Sequence, residues 1–76
     1  SMPAAGIEIC NRSIKYIEFF KKKGIFSIKN FGEIKLQPNI VKDGDILNKN
    51  ALVKALLEVK DKISSDFVKV SQRIIA

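Results

Sequence analysis

Two hydrophobic periods run through this chain, and their unequal shares pose its folding problem. Residues 6–36 carry three β-rich runs: Gly6-Ile7-Glu8-Ile9-Cys10, Ile14 to Phe20, and Ile25 to Phe31, the last resuming at Ile34 and Leu36. Apolar residues at every second position are the mark of strands that bury one face. Only one later stretch changes period. Leu52, Leu56, Val59 and Ile63 recur at spacings of four, three and four, which puts them on one face of a helix. A short run, Phe67-Val68-Lys69-Val70, then reads as a fourth strand. One helix covers one face of a sheet, so the pattern predicts a second face, and an outer edge on the fourth strand, without cover.

The punctuation between these runs sets their order in space. Asn11-Arg12-Ser13 is a turn between the first two strands. Lys21-Lys22-Lys23-Gly24 is a hairpin turn, because glycine takes a positive φ without steric cost. Gly32 interrupts the alternation and predicts a bulge or bend, and Pro38 ends the strand. Residues 37–47 form a connector that turns at Asp43-Gly44-Asp45. Asn48 is the predicted helix N-cap, with Asn50 the alternative, and Ser64-Ser65 closes the helix. Residues 71–76 either extend the fourth strand or leave it. Tight turns make the first three strands antiparallel, whereas a helical crossover makes the fourth parallel and right-handed. The predicted fold is α/β, in the order β-β-β-α-β, with a mixed sheet and one helix.

Composition narrows what such a fold can do. Seventy-six residues hold one domain; Ser1-Met2 reads as a cloning remnant, leaving residues 1–5 as a tail and 6–76 as a single partial domain. The absence of histidine removes imidazole acid–base catalysis, and the lone Cys10 removes intramolecular disulfides and thiolate zinc sites. With no disulfide to staple it, a core of this size contributes only roughly 3–5 kcal/mol, so the domain either packs efficiently or borrows surface from a partner. The cytoplasm is the expected compartment. No apolar run approaches the roughly 20 residues needed to cross a bilayer. The net charge of +6 is unevenly spread, with +5 on residues 1–42 and +1 on residues 43–76.

The segment Gly6-Ile7-Glu8-Ile9-Cys10-Asn11-Arg12-Ser13-Ile14-Lys15 resembles the first phosphate-binding strand-turn-strand of actin-like ATPases, roughly G-[IL]-D-[IL]-G-x-x-[ST]-[IV]-K. The lysine-rich hairpin, Asn30-Phe31-Gly32, Lys35-Leu36-Gln37-Pro38, Asp43-Gly44-Asp45-Ile46 and the helix with Ala51-Leu52 follow it. In order and spacing these resemble the opening of the PilM family, the actin-like type IV pilus assembly proteins, more than that of the related FtsA. The resemblance runs from residue 6 to about residue 71 and spans only the opening segment of a family member.

That resemblance implies a ribonuclease-H-like core of sheet order 3-2-1-4 with the helix on one side, a partial actin-like subdomain. It also implies that Glu8, Cys10, Asn11, Arg12, Ser13 and Lys15 stand where full-length relatives bind ATP and Mg. There a carboxylate orients water around the metal, a glycine lets backbone N–H groups approach phosphate, and a lysine adds a point charge. Here Glu8 replaces the aspartate, Cys10 replaces the glycine, and Lys15 alone matches outright. The second phosphate loop, catalytic carboxylate and adenosine pocket come from later segments of the family. The site therefore reads as vestigial, without a cofactor of its own, a metal or an enzymatic activity, because one half of a cleft supplies too few opposed groups.

Two classes of function follow. The first is a non-catalytic interaction module of the pilus machinery, cytoplasmic and held at the inner-membrane face through partners. It would self-associate or exchange strands through its uncovered surfaces, or bind the cytoplasmic tail of an inner-membrane pilus protein. The alternative is a small basic nucleic-acid-binding module, the less favoured of the two, in which Lys21, Lys22 and Lys23 would have to line one surface with Lys29 and Lys35. Plainer readings stand beside these. The three lysines are an anion site or a solubilising turn. Cys10 is a thiolate favoured by Arg12 and Lys15 or an inert buried thiol. Asp43 and Asp45 make a turn rather than a Ca²⁺ loop. Tyr16, Phe19, Phe20, Phe26 and Phe31 pack a core or a partner rather than stacking bases.

Overall fold

The computed structural model describes residues 2–73. Strands β1 (Met2–Ile9), β2 (Ser13–Lys22) and β3 (Ile25–Lys35) lead to a small hairpin of β4 (Val41–Lys42) and β5 (Asp45–Ile46), then helix α1 (Lys49–Lys62) and strand β6 (Phe67–Gln72). The main sheet has the order β3-β2-β1-β6, antiparallel except for the parallel β1–β6 pair. With β6 counted as the fourth main strand, this is the 3-2-1-4 order that the resemblance implies.

Local chemistry departs from the expected boundaries in three places. Strand β1 begins at Met2 rather than Gly6, and Ala5 is buried, so residues 2–5 are strand and not a tail. Two consecutive alanines and a glycine carry too little hydrophobic contrast to show an alternation. The β2–β3 turn consists of Lys23 and Gly24 alone, with φ of 52° and 80°. Two central residues with positive φ match the right-handed twist of a hairpin. Lys21 and Lys22 are therefore strand residues, and only Lys23 sits at the tip. The β4–β5 turn repeats the device, with φ of 49° at Asp43 and 89° at Gly44.

The bulge falls at Lys29, not at Gly32. Pairing jumps from Glu18↔Asn30 to Phe19↔Ile28, which leaves Lys29 as the extra residue. Gly32 stays in register opposite Tyr16, and the tyrosine ring explains it: a Cβ at Gly32 would lie 2.5 Å from the Tyr16 hydroxyl oxygen and 2.8 Å from Cζ.

Helix α1 covers one sheet face. Leu52 and Val59 meet Ile7, Ile9 and Ile14, while Leu36, Ile40 and Val41 close one end of the core. Asn48 is the N-cap: its φ is −136° and its side-chain oxygen accepts the Ala51 N–H at 3.1 Å. Lys60 and Lys62 occupy the last turn, where cations suit the helix dipole. The molecule measures 43 × 24 × 16 Å, and the short axis fits one helical layer on a sheet but no third layer, since layers stack about 10 Å apart.

The covered face also holds a carboxylate. Glu18 is 1% exposed and alternates along β2 with Ile14 and Tyr16. Its Oε2 accepts the Ser64 N–H at 2.9 Å, the Ser64 hydroxyl at 3.3 Å and the Ser65 hydroxyl at 2.5 Å. Asn30 Nδ2 donates to the Lys62 carbonyl at 2.6 Å beside it. The serines that stop the helix thus also fasten its exit to β2. Burial pushes the Glu18 carboxyl up, but the Ser65 and Ser64 bonds and the charge of Lys29 outweigh it and hold the group below the ordinary carboxylate value.

Candidate functional site

The turn between β1 and β2 is built by a short local bond and then docked to distant parts of the chain. The Cys10 N–H donates to the Ser13 carbonyl at 2.8 Å, closing the turn. The Leu36 N–H donates to the Arg12 carbonyl at 3.0 Å, and Arg12 Nε donates back to the Leu36 carbonyl at 3.4 Å. Asn11 makes a reciprocal pair with the β4–β5 turn: its Nδ2 donates to Asp43 Oδ1 at 3.1 Å and its Oδ1 accepts the Asp43 N–H at 2.8 Å. Ser13 is buried. Asn11, Arg12 and Ser13 therefore hold the fold together around this turn.

Glu8, Cys10 and Lys15 are brought together, joined by Arg73. Glu8 and Lys15 are direct cross-strand partners on the sheet face away from α1. Arg73 Nη2 lies 3.2 Å from Glu8 Oε1, and the same oxygen accepts the Cys10 thiol at 3.4 Å. Nothing local in the sequence marks Arg73. It arrives because β6 continues to Gln72 beside Ile9, with the Arg73 N–H donating to the Ile9 carbonyl at 2.9 Å.

These residues do not fit a nucleotide-bound metal. The carboxylate that the motif needs for metal-bound water is engaged by a guanidinium and a thiol. Cys10 is absent from the residues with positive φ, so a side chain at this position strains nothing. Burial pushes the Cys10 thiol up, the Glu8 hydrogen bond and charge push it further, and Arg73 and Lys15 offset only part of this. Burial and a raised pKa both favour the neutral thiol over the thiolate. Among the described residues no group of three or more His, Cys, Asp and Glu side chains could hold a metal ion.

The lysines do not gather on one surface. Lys21 sits over the Phe26 ring at 5.5 Å, and strand alternation turns Lys22 to the opposite face. Lys29 turns toward the helix side, over the Phe20 ring at 4.6 Å, and donates to the Ser64 hydroxyl at 2.6 Å. Lys35 lies at the far end of β3 and pairs with Glu33 at 2.9 Å. The aromatics divide likewise. Tyr16 packs against the core, while Phe19 and Phe26 meet edge to face on the uncovered side, 5.6 Å between centroids.

No family model matches the chain and no curated protein matches it. A solved structure of a PPX-GPPA enzyme from Aquifex aeolicus is similar to it, with a TM-score of 0.62 at 19% identity over 93% of this chain. The match takes up 26% of that enzyme's chain. At this identity the likeness shows the fold alone: the chain is an α/β unit, a mixed sheet of order 3-2-1-4 with one helix, that matches part of that enzyme. Among the described residues no helix is long and apolar enough to cross a membrane.

Proposed function

We propose that this chain is a non-catalytic interaction module built on the opening segment of the actin-like fold. The observation that carries the reading is a sheet with α1 on one face only, joined to a phosphate-type turn whose carboxylate is tied up by Arg73 and Cys10. Glu8, Cys10 and Lys15 keep the outline of the nucleotide motif and lose its chemistry. The motif order from Gly6 to Ile46 favours a place in type IV pilus assembly on the cytoplasmic side of the inner membrane. The partners on this reading are a second copy of the chain and the cytoplasmic tail of an inner-membrane pilus protein.

Strand β6 offers the means of self-association. All six of its residues are exposed, and it contains no proline to blunt the edge. Because the Arg73 N–H points to Ile9, strand alternation turns the Val70 N–H outward. Sedimentation velocity at tens of micromolar tests this. The expected result is an oligomer that Val70→Pro disperses without loss of the β1–β6 ladder. A monomer that binds magnesium-ATP overturns the reading, and so does salt-sensitive binding to DNA that vanishes when Lys21, Lys22 and Lys23 are neutralised.

A further inference from the structure

The β2–β3 hairpin runs on past the end of α1. The helix leaves the sheet at the Glu18–Asn30 pair, where the Ser64 N–H reaches Glu18 and Asn30 Nδ2 reaches the Lys62 carbonyl. Beyond that pair the hairpin stays apolar on both of its faces. Ile25, the partner of Lys22, lies on the α1 side and is 68% exposed, while Phe26 and Ile28 lie on the other side, 64% and 67% exposed. Bare apolar side chains along an outer strand are a liability unless something covers them.

Lysines stand one strand behind these residues. Lys21 and Lys22 are the direct β2 partners of Phe26 and Ile25, on opposite faces, and Lys23 is at the turn. None of the three makes an ion pair among the described residues. No Asp or Glu occurs between Glu18 and Glu33, and none in β1 from Met2 to Ile7. Neighbouring strands lie about 4.8 Å apart, so a surface met along the β3 edge touches the apolar side chains first and the lysines one such step later.

We propose that the hairpin leans its β3 edge into the surface of an anionic lipid bilayer. Apolar groups of interfacial proteins enter the headgroup and acyl boundary by about 5–10 Å. With Ile25, Phe26 and Ile28 at that depth, Lys21 and Lys22 stand at the phosphates, and their long side chains reach outward to them. Lipid closes around both faces of an edge at once, whereas a docked helix covers one. A partner strand added to β3 meets the bulge at Lys29, which breaks the row of edge hydrogen-bonding groups. A second copy docked tip to tip sets Lys21, Lys22 and Lys23 against their own counterparts. Nucleic acid matches the lysines but leaves Ile25 and Ile28 in water. This contact is independent of the interaction-module reading, because β3 and β6 are opposite edges of the sheet.

Vesicle flotation with the full chain tests the proposal. The chain is expected to float with vesicles of phosphatidylcholine mixed with phosphatidylglycerol, less so as salt is raised, and not with phosphatidylcholine alone. Lys21→Gln, Lys22→Gln and Lys23→Gln each weaken binding about fivefold, and roughly a hundredfold together. Phe26→Trp adds a fluorophore to a chain that has no tryptophan, and its emission shifts to the blue on the anionic vesicles. Val53→Trp, on an exposed position of α1, does not shift. Equal flotation with both lipids overturns the proposal, as does flotation without a Phe26→Trp shift, which means contact by charge alone. Duplex DNA or a polyglutamate peptide bound through the three lysines, with no vesicle binding, overturns it too and names the other occupant. Should the triple variant unfold, the Phe26→Trp and Val53→Trp pair still decides. A β6-mediated oligomer that ignores vesicles removes this inference and leaves the interaction module; a monomer that floats does the reverse for self-association.

Discussion

Glu18→Gln tests how much one buried carboxylate holds this small domain together. The substitution keeps the side-chain volume and one acceptor oxygen but removes the charge. Three donors converge on Oε2, at 2.9 Å from the Ser64 N–H, 3.3 Å from its hydroxyl and 2.5 Å from the Ser65 hydroxyl. Hydrogen bonds to a charged group contribute about 1.5–3 kcal/mol each, against about 0.5–1.5 for neutral pairs. The 3.3 Å bond is long, and Ser64 is exposed, so water competes for it. Two effective bonds that lose their charge assistance therefore destabilise the fold by about 1–3 kcal/mol. Against the roughly 3–5 kcal/mol available to a core of this size, that is a large share.

The pH dependence gives the same experiment a second readout. Burial raises the Glu18 pKa, but the Ser65 and Ser64 bonds and Lys29 bring it below the ordinary 4.5. A depressed carboxyl pKa means that the folded state favours the ionised form. Its contribution is complete above 4.5 and is lost as the pH falls through the lower folded value. Urea denaturation followed by circular dichroism is expected to show a wild-type advantage at neutral pH that narrows as the pH falls below 4.5. Equal midpoints at neutral pH, or a gap unchanged in acid, refute the reasoning.

Three further outcomes follow from particular contacts. Gly32→Ala forces the Tyr16 ring aside; overpacking of about 1–3 kcal/mol, less the roughly 0.5–1 that alanine regains over glycine in a strand, leaves a lower melting temperature by differential scanning calorimetry. Asn48→Ala removes the acceptor of the Ala51 N–H and costs about 1 kcal/mol, read as a shift in the urea midpoint with an unchanged slope. Cys10 reacts with a thiol reagent more slowly in the native protein than in urea, and Glu8→Gln speeds the native reaction by removing a charge, and weakening a bond, that raise its pKa.

Chain-local chemistry determined a good deal of this protein. The change from period 2 to a helical period placed the three opening strands and α1, Asn48 capped the helix as expected, and one helix for four strands implied a bare sheet face. The Gly6–Lys15 pattern also located Glu8, Cys10 and Lys15 side by side, because a tight turn joins the strands that carry them. What depended on register was not legible. The bulge sits at Lys29 and the glycine at 32 serves Tyr16, and both facts are relations between strands rather than properties of either one. The carboxylate of Glu18 interrupts an apolar stripe, which is a visible anomaly, but its serine partners lie 46 and 47 residues away. The Asn11–Asp43 pair spans 32 residues and the Glu8–Arg73 pair 65. Periodicity and turn propensity act over a few residues, whereas these contacts exist only once the sheet has set which distant side chains meet. The tertiary structure alone therefore decided that the lysines scatter, that the Glu8 carboxylate is engaged by Arg73 and Cys10, and that the uncovered face is hollow along β1.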